Sequence, residues 1–102
     1  MTTPLILTPG HRPDGTALLS AAGEIDMSNT ADLAAALDST TGLLVLDLTA
    51  VDYLDSAGLS VLFAHADRLE LIAPPLLAPV LAISGLADLT TVRPSEPDSR
   101  LG

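Results

Sequence analysis

The chain has 102 residues, 48% of them hydrophobic, and a formal net charge of −9, which allows one domain with a modest core. Four arginines, no lysine and thirteen Asp plus Glu exclude the clustered cations that nucleic acid or an anionic membrane requires. The charge suits protein partners with basic surfaces, or solubility alone. The lack of cysteine excludes disulfides, thiolate metal sites and thiol redox sensing.

In chain order, Leu5-Ile6-Leu7 reads as a short first strand, and Thr8 to Gly15, with two Pro and two Gly, reads as loose. Asp14-Gly15 is a hairpin turn signal, so Thr16 to Ala22 returns as an antiparallel second strand. Gly23-Glu24-Ile25-Asp26 leaves it as a loop. Ser28-Asn29-Thr30 offers oxygens for unpaired first-turn amides, and Leu33 and Leu37 are four apart, so about 29–39 is a helix. Leu43 to Leu48 is nearly continuous apolar sequence, the mark of a strand covered on both faces. Leu59, Leu62, Phe63, Ala66 and Leu69 are spaced for a second helix starting near Asp55 or Ser56, and His65 is expected on its exposed side.

Leu69 to Ala73 is a fourth strand stopped by Pro74-Pro75. Leu77, Val80 and Leu81 mark a third helix, with Pro79 in its first turn and Gly85 just past its end. Thr90-Thr91-Val92 is a last strand. The alternation predicts an α/β domain with a mixed, mostly parallel sheet and packed helices. The ordered core is expected over about 4–93, with 94–102 a flexible tail. The uncharged stretch from Leu71 to Ala87 carries three Pro and a Gly and is too short to span a bilayer. The N-terminus lacks the basic start and apolar core of a signal peptide, so the expected location is cytoplasmic.

The informative stretch is Val51-Asp52-Tyr53-Leu54-Asp55-Ser56-Ala57-Gly58-Leu59, between a buried strand and a helix. Such loops lie at the carboxyl ends of parallel strands, where α/β sheets place their sites. Asp55 is a good cap, and Ser56 then takes the first helical position with its hydroxyl outward. By spacing alone a plain helix cap explains both residues. A hydrolase elbow needs Gly-x-Ser-x-Gly, and Leu54 stands where its first Gly belongs. The candidate bases, His11 and His65, do not come within reach of Ser56. Asp47, Asp52 and Asp55 form an acidic group, but a phosphate-accepting receiver needs a late lysine, which the chain lacks. No nucleotide-binding glycine motif occurs, and no cofactor is implied.

Leu46-Asp47-Leu48, Val51 and Asp55-Ser56-Ala57-Gly58-Leu59 resemble the signature of STAS domains of the bacterial anti-sigma-factor antagonist family. Gly23-Glu24-Ile25-Asp26, Pro74-Pro75 and Ser84-Gly85-Leu86 resemble further family positions in order along the chain. The resemblance implies a non-enzymatic protein switch. The unmodified form binds an anti-sigma factor that is also a serine kinase, and so releases the sigma factor. Phosphorylation at Ser56 ends the interaction, and a phosphatase resets it. The implied partner surface comprises Glu24, Asp26, Asp52, Tyr53, Asp55, Ser56, Ala57 and Gly58, on loops that leave one end of the sheet. The alternatives are a regulatory STAS subunit of a lipid-transport ABC complex or signalling assembly, and a small serine hydrolase using Ser56.

Overall fold

A computed structural model describes residues 4–95. Five strands form one sheet in the order β1 (Ile6–His11), β2 (Ala17–Ile25), β3 (Leu44–Leu54), β4 (Leu69–Ala73) and β5 (Thr91–Pro94). The first pair is antiparallel and the other three are parallel. The parallel pairs need long crossovers, which α1 (Thr30–Asp38), α2 (Ser56–His65) and α3 (Ala78–Ile83) supply. The expected α/β fold with a mixed, mostly parallel sheet is what forms. Of the tail expected at 94–102, Pro94 instead ends β5, and 96–102 lie outside the described residues.

Leu33 and Leu37 of α1, Leu62 of α2 and Leu81 of α3 join Leu19, Ile25, Leu44, Leu46, Leu48 and Leu71 in one aliphatic core. The helices therefore share one face of the sheet. The continuous apolar run in β3 was expected to be covered on both faces. Leu44, Leu46 and Leu48 point to the helices, but no helix covers Val45. Val45 is nevertheless fully buried. Arg12 reaches across β2 and β3 to Glu70 (3.3 Å), which also pairs with Arg93 (3.2 Å). The strand pairing sets Val45 beside Glu70, where these ion pairs meet.

Four strands differ in length from expectation, β5 by running on through Arg93 and Pro94. β1 continues through Thr8–His11, because an edge strand tolerates a proline such as Pro9. β2 and β3 run on to Ile25 and Leu54, so residues 23–25 and 51–54 are paired strand and not loop. The register shifts between Ser20/Ala22 and between Gly23/Glu24, each time with an extra residue in β3. These two bulges expose Thr49 and Ala50, then Asp52 and Tyr53, while Val51 and Leu54 stay buried. They break the alternation of two that marks a strand in sequence. Gly23 adopts φ 102° at the second bulge, a conformation that favours glycine.

The helix boundaries follow their end chemistry. Pro79 lies in the first turn of α3, and Gly85 follows its end in the left-handed conformation. The last turn of α1 and the chain after it present carbonyls of Leu37, Thr40 and Gly42, and all three accept from the Arg68 guanidinium. His65 is not exposed. Its side chain is 14% accessible, with Nδ1 facing the Val61 carbonyl and Nε2 2.8 Å from Asp38 on α1. The tight packing of α1 on α2 draws it into that seam. Phe63, expected on the buried stripe, is instead 37% exposed. At the first hairpin, hydrogen bonds from Thr16 hold Asp14 below the usual carboxylate range.

Candidate functional site

The carboxyl ends of β2 and β3 carry the candidate site. Asp55 is the N-cap of α2. Its backbone is extended (φ −94°, ψ −177°), and its Oδ1 accepts from the Gly58 amide at 2.9 Å. Ser56 is then the first helical residue and is exposed. Its hydroxyl takes no part in the cap, which Asp55 supplies. Gly58 is buried, and a Cβ there would stand 2.6 Å from Ile25 Cγ2 and Leu54 Cδ1. The first turn of α2 thus lies directly on the ends of the two strands it follows. Gly58, expected among partner contacts, shapes the surface from below and does not form part of it.

Asp55 also reaches the neighbouring loop. Its Oδ2 accepts from the Met27 amide at 3.2 Å, and its own amide donates to the Ile25 carbonyl at 3.2 Å. One carboxylate therefore ties the start of α2 to the β2–α1 connection. That connection is stitched internally as well. Asn29 Oδ1 accepts from the Asp26 amide, the Asn29 side-chain amide donates to the Glu24 carbonyl, and Asp26 accepts from the Ser28 amide and hydroxyl. Ser28, Asn29 and Thr30 were each expected to offer a side-chain oxygen to the first turn of α1, and Asn29 takes the N-cap position. It makes no such bond, because its oxygen closes the preceding turn instead.

The second bulge places Tyr53 beside Glu24 across the β2–β3 pair. Glu24, Asp26, Met27, Ser28 and Tyr53 line an open cleft of about 600 Å³. Asp55, half-buried, bonds to the Met27 amide beside it, and Asp52, exposed, precedes Tyr53 in β3. The described arginines are held elsewhere, Arg12 and Arg93 on Glu70 and Arg68 on the carbonyls after α1. This end of the molecule is accordingly acidic, with two apolar side chains standing in it. Met27 is 78% exposed and Tyr53 49% exposed.

The structure brings Glu24, Asp26, Tyr53, Asp55 and Ser56 to one end, with Ala57 half-buried behind them. It does not bring in Asp47, which lies mid-strand on the helix-free face and accepts from the Thr49 amide at 2.9 Å. The acidic group read from the sequence is thus spread along β3. Among the described residues, no cluster of acidic or histidine side chains has the arrangement to hold a metal ion. Neither histidine approaches Ser56, since His65 sits at the far end of α2 against Asp38 and His11 ends β1. Sequence reading missed the turn-closing role of Asn29. The signal present was Asp26-Met27-Ser28-Asn29, a spacing suited to side chains that close turns on the backbone.

A family model described as "Mlab, STAS domain" matches residues 11–93. Among solved structures, an anti-sigma factor antagonist from Mycobacterium paratuberculosis matches at TM-score 0.80 and 25% identity, covering 99% of this chain and 96% of that one. The anti-sigma factor antagonist SpoIIAA in its unphosphorylated form matches at TM-score 0.61 and 14% identity, covering 94% and 92%. An uncharacterized protein with a SpoIIAA-like fold from Shewanella loihica matches at TM-score 0.61 and 14% identity, covering 98% and 92%. At 14% identity the last two speak for the fold alone. No curated protein matches the sequence.

Proposed function

The chain belongs to the STAS-domain family, and on that premise we propose that it is an anti-sigma-factor antagonist switched by phosphorylation of Ser56. The observation that carries this reading is the exposed hydroxyl at the first position of α2, free of the cap and beside the acidic cleft. The likeness to the Mycobacterium paratuberculosis antagonist supports the same role. The unmodified surface binds an anti-sigma factor with serine-kinase activity. Transfer requires the serine oxygen to line up with a γ-phosphate held in another protein, and an exposed helix start gives that access.

A phosphate there adds about −1.5 to −2 charges and three acceptor oxygens. A helix N-terminus tolerates an anion, so the fold survives. The interface does not, because bulk and charge arrive next to Asp55 and across from Asp26. A phosphatase then restores binding. In this role the protein is a substrate and a ligand, acts in the cytoplasm and needs no cofactor.

Intact-mass analysis after incubation with ATP and the partner kinase tests the switch, with fragmentation to map the site. Ser56→Ala should keep fold and binding but take no phosphate. Ser56→Asp should keep the fold and lose affinity by at least ~1.4 kcal/mol, which is tenfold. Phosphate on Ser28, Thr49 or Ser60 with Ser56 untouched would defeat the assignment. A second reading, a regulatory STAS subunit of a transport or signalling complex, is favoured by the description of the matching family model. It predicts binding through the same face with no phosphate transfer, and capture of a transporter ATPase distinguishes it.

A further inference from the structure

Met27 combines two properties. Its side chain is 78% exposed, yet its backbone is held in place. Its amide is bonded to Asp55, Asp26 and Ser28 close the turn on either side of it, and Asn29 bonds back to Glu24 and Asp26. A loop without a contact to make has no need of this bracing, since ordering the backbone costs conformational entropy. Tyr53 stands in the same cleft, turned outward by the bulge in β3. Glu24 and Asp26 line the cleft with them, Asp55 bonds to the Met27 amide, the exposed Asp52 precedes Tyr53 in β3, and no described arginine pairs with these carboxylates. Stable interfaces have this layout, an apolar centre inside a polar rim, with most of the energy in a few central side chains.

We propose that Met27, backed by Tyr53, is the apolar anchor of the partner interface and the residue that selects the partner. The inference rests on the antagonist reading above and deepens it. The occupant that fits is a protein surface with basic residues around an apolar pocket of methionine size. The carboxylates attract and orient it, which governs encounter and register. Met27 enters the pocket and governs how long the complex lasts. An unbranched thioether fills an irregular pocket well, and leucine, of similar volume, can replace it.

The test is calorimetric titration of the purified anti-sigma factors encoded by the same genome, at low and physiological salt. The proteins compared are the native chain, Met27→Ala, Met27→Leu, Tyr53→Ala and Asp52→Lys. Met27→Ala should weaken the cognate complex at least about tenfold and keep the native salt dependence. Met27→Leu should stay within about threefold of native, and Tyr53→Ala should fall between. Asp52→Lys should weaken binding and flatten its salt dependence, because it changes the rim. Melting temperatures should be unaltered, since the Met27 and Asp52 side chains are exposed. Native-like affinity of Met27→Ala beside a weakened Asp52→Lys overturns the anchor and leaves the antagonist reading intact. Binding of no anti-sigma factor by the native chain overturns both.

Discussion

At the scale of single residues, the site depends on two features that a sequence motif shows without explaining. One is Asp55, which supports two loops with one carboxylate. The other is Gly58, whose missing side chain lets α2 settle on Ile25 and Leu54. An alanine in a helix is ordinarily favoured over glycine by about 0.5–1 kcal/mol. Here its Cβ would stand 2.6 Å from two side chains, one fully buried and one at 9% exposure, so overpacking wins. Gly58→Ala should therefore destabilise by roughly 1–3 kcal/mol. Urea unfolding should report it as a lower midpoint with an unchanged slope. A midpoint equal to or above native would mean that the start of α2 is not packed as described.

At the scale of elements, the C-terminal end of α1 relies on a residue distant in sequence. Arg68 follows α2 in a short 3₁₀ turn and donates to the carbonyls of Leu37, Thr40 and Gly42. Carbonyls at a helix end have no intrahelical partners, and a cation there also meets the helix dipole favourably. Arg68→Ala should cost roughly 1–3 kcal/mol through lost charged hydrogen bonds, with the lower part of that range expected for a half-exposed group. Hydrogen exchange should localise the effect to the last turn of α1. Uniform exchange across the domain would deny Arg68 this local role. His65 and Asp38 join the same two helices at 2.8 Å, so the seam is polar at its rim and aliphatic inside.

For the molecule as a whole, one face of the sheet is sealed by helices, and on the other Arg12 and Arg93 pair with Glu70 beside Val45. Leu46 points into the helix side and is fully buried. Leu46→Asp should place an unpaired charge there and destabilise by several kcal/mol, or unfold the domain. Circular dichroism melts give the answer. A melting point within about two degrees of native would put this strand elsewhere than in the core. The polarity of the molecule also belongs to this scale. The described arginines lie away from the cleft, and the acidic groups of the β2–α1 loop and the β3–α2 junction lie around it.

The sequence by itself determined the element order, the mixed sheet and the Asp55-Ser56 helix start. Each of these is written in local chemistry: apolar runs, proline and glycine breaks, and a capping residue ahead of a helical stripe. It also put Glu24, Asp26, Asp52, Tyr53, Asp55, Ser56, Ala57 and Gly58 on one candidate surface, through the resemblance of short motifs, and of these residues Gly58 is buried. Only the tertiary structure decided how far β2 and β3 run. Bulges change the side-chain period, and their position follows from pairing with a strand distant in sequence. Tertiary contacts likewise decided that Asn29 closes a turn and does not cap α1, and that His65 is drawn against Asp38. Asp47 parted from Asp52 and Asp55 for the same reason. Proximity in sequence along an extended strand separates side chains by over 3 Å per residue and turns alternate ones to opposite faces, whereas the loops that form the site meet only when their strands pair.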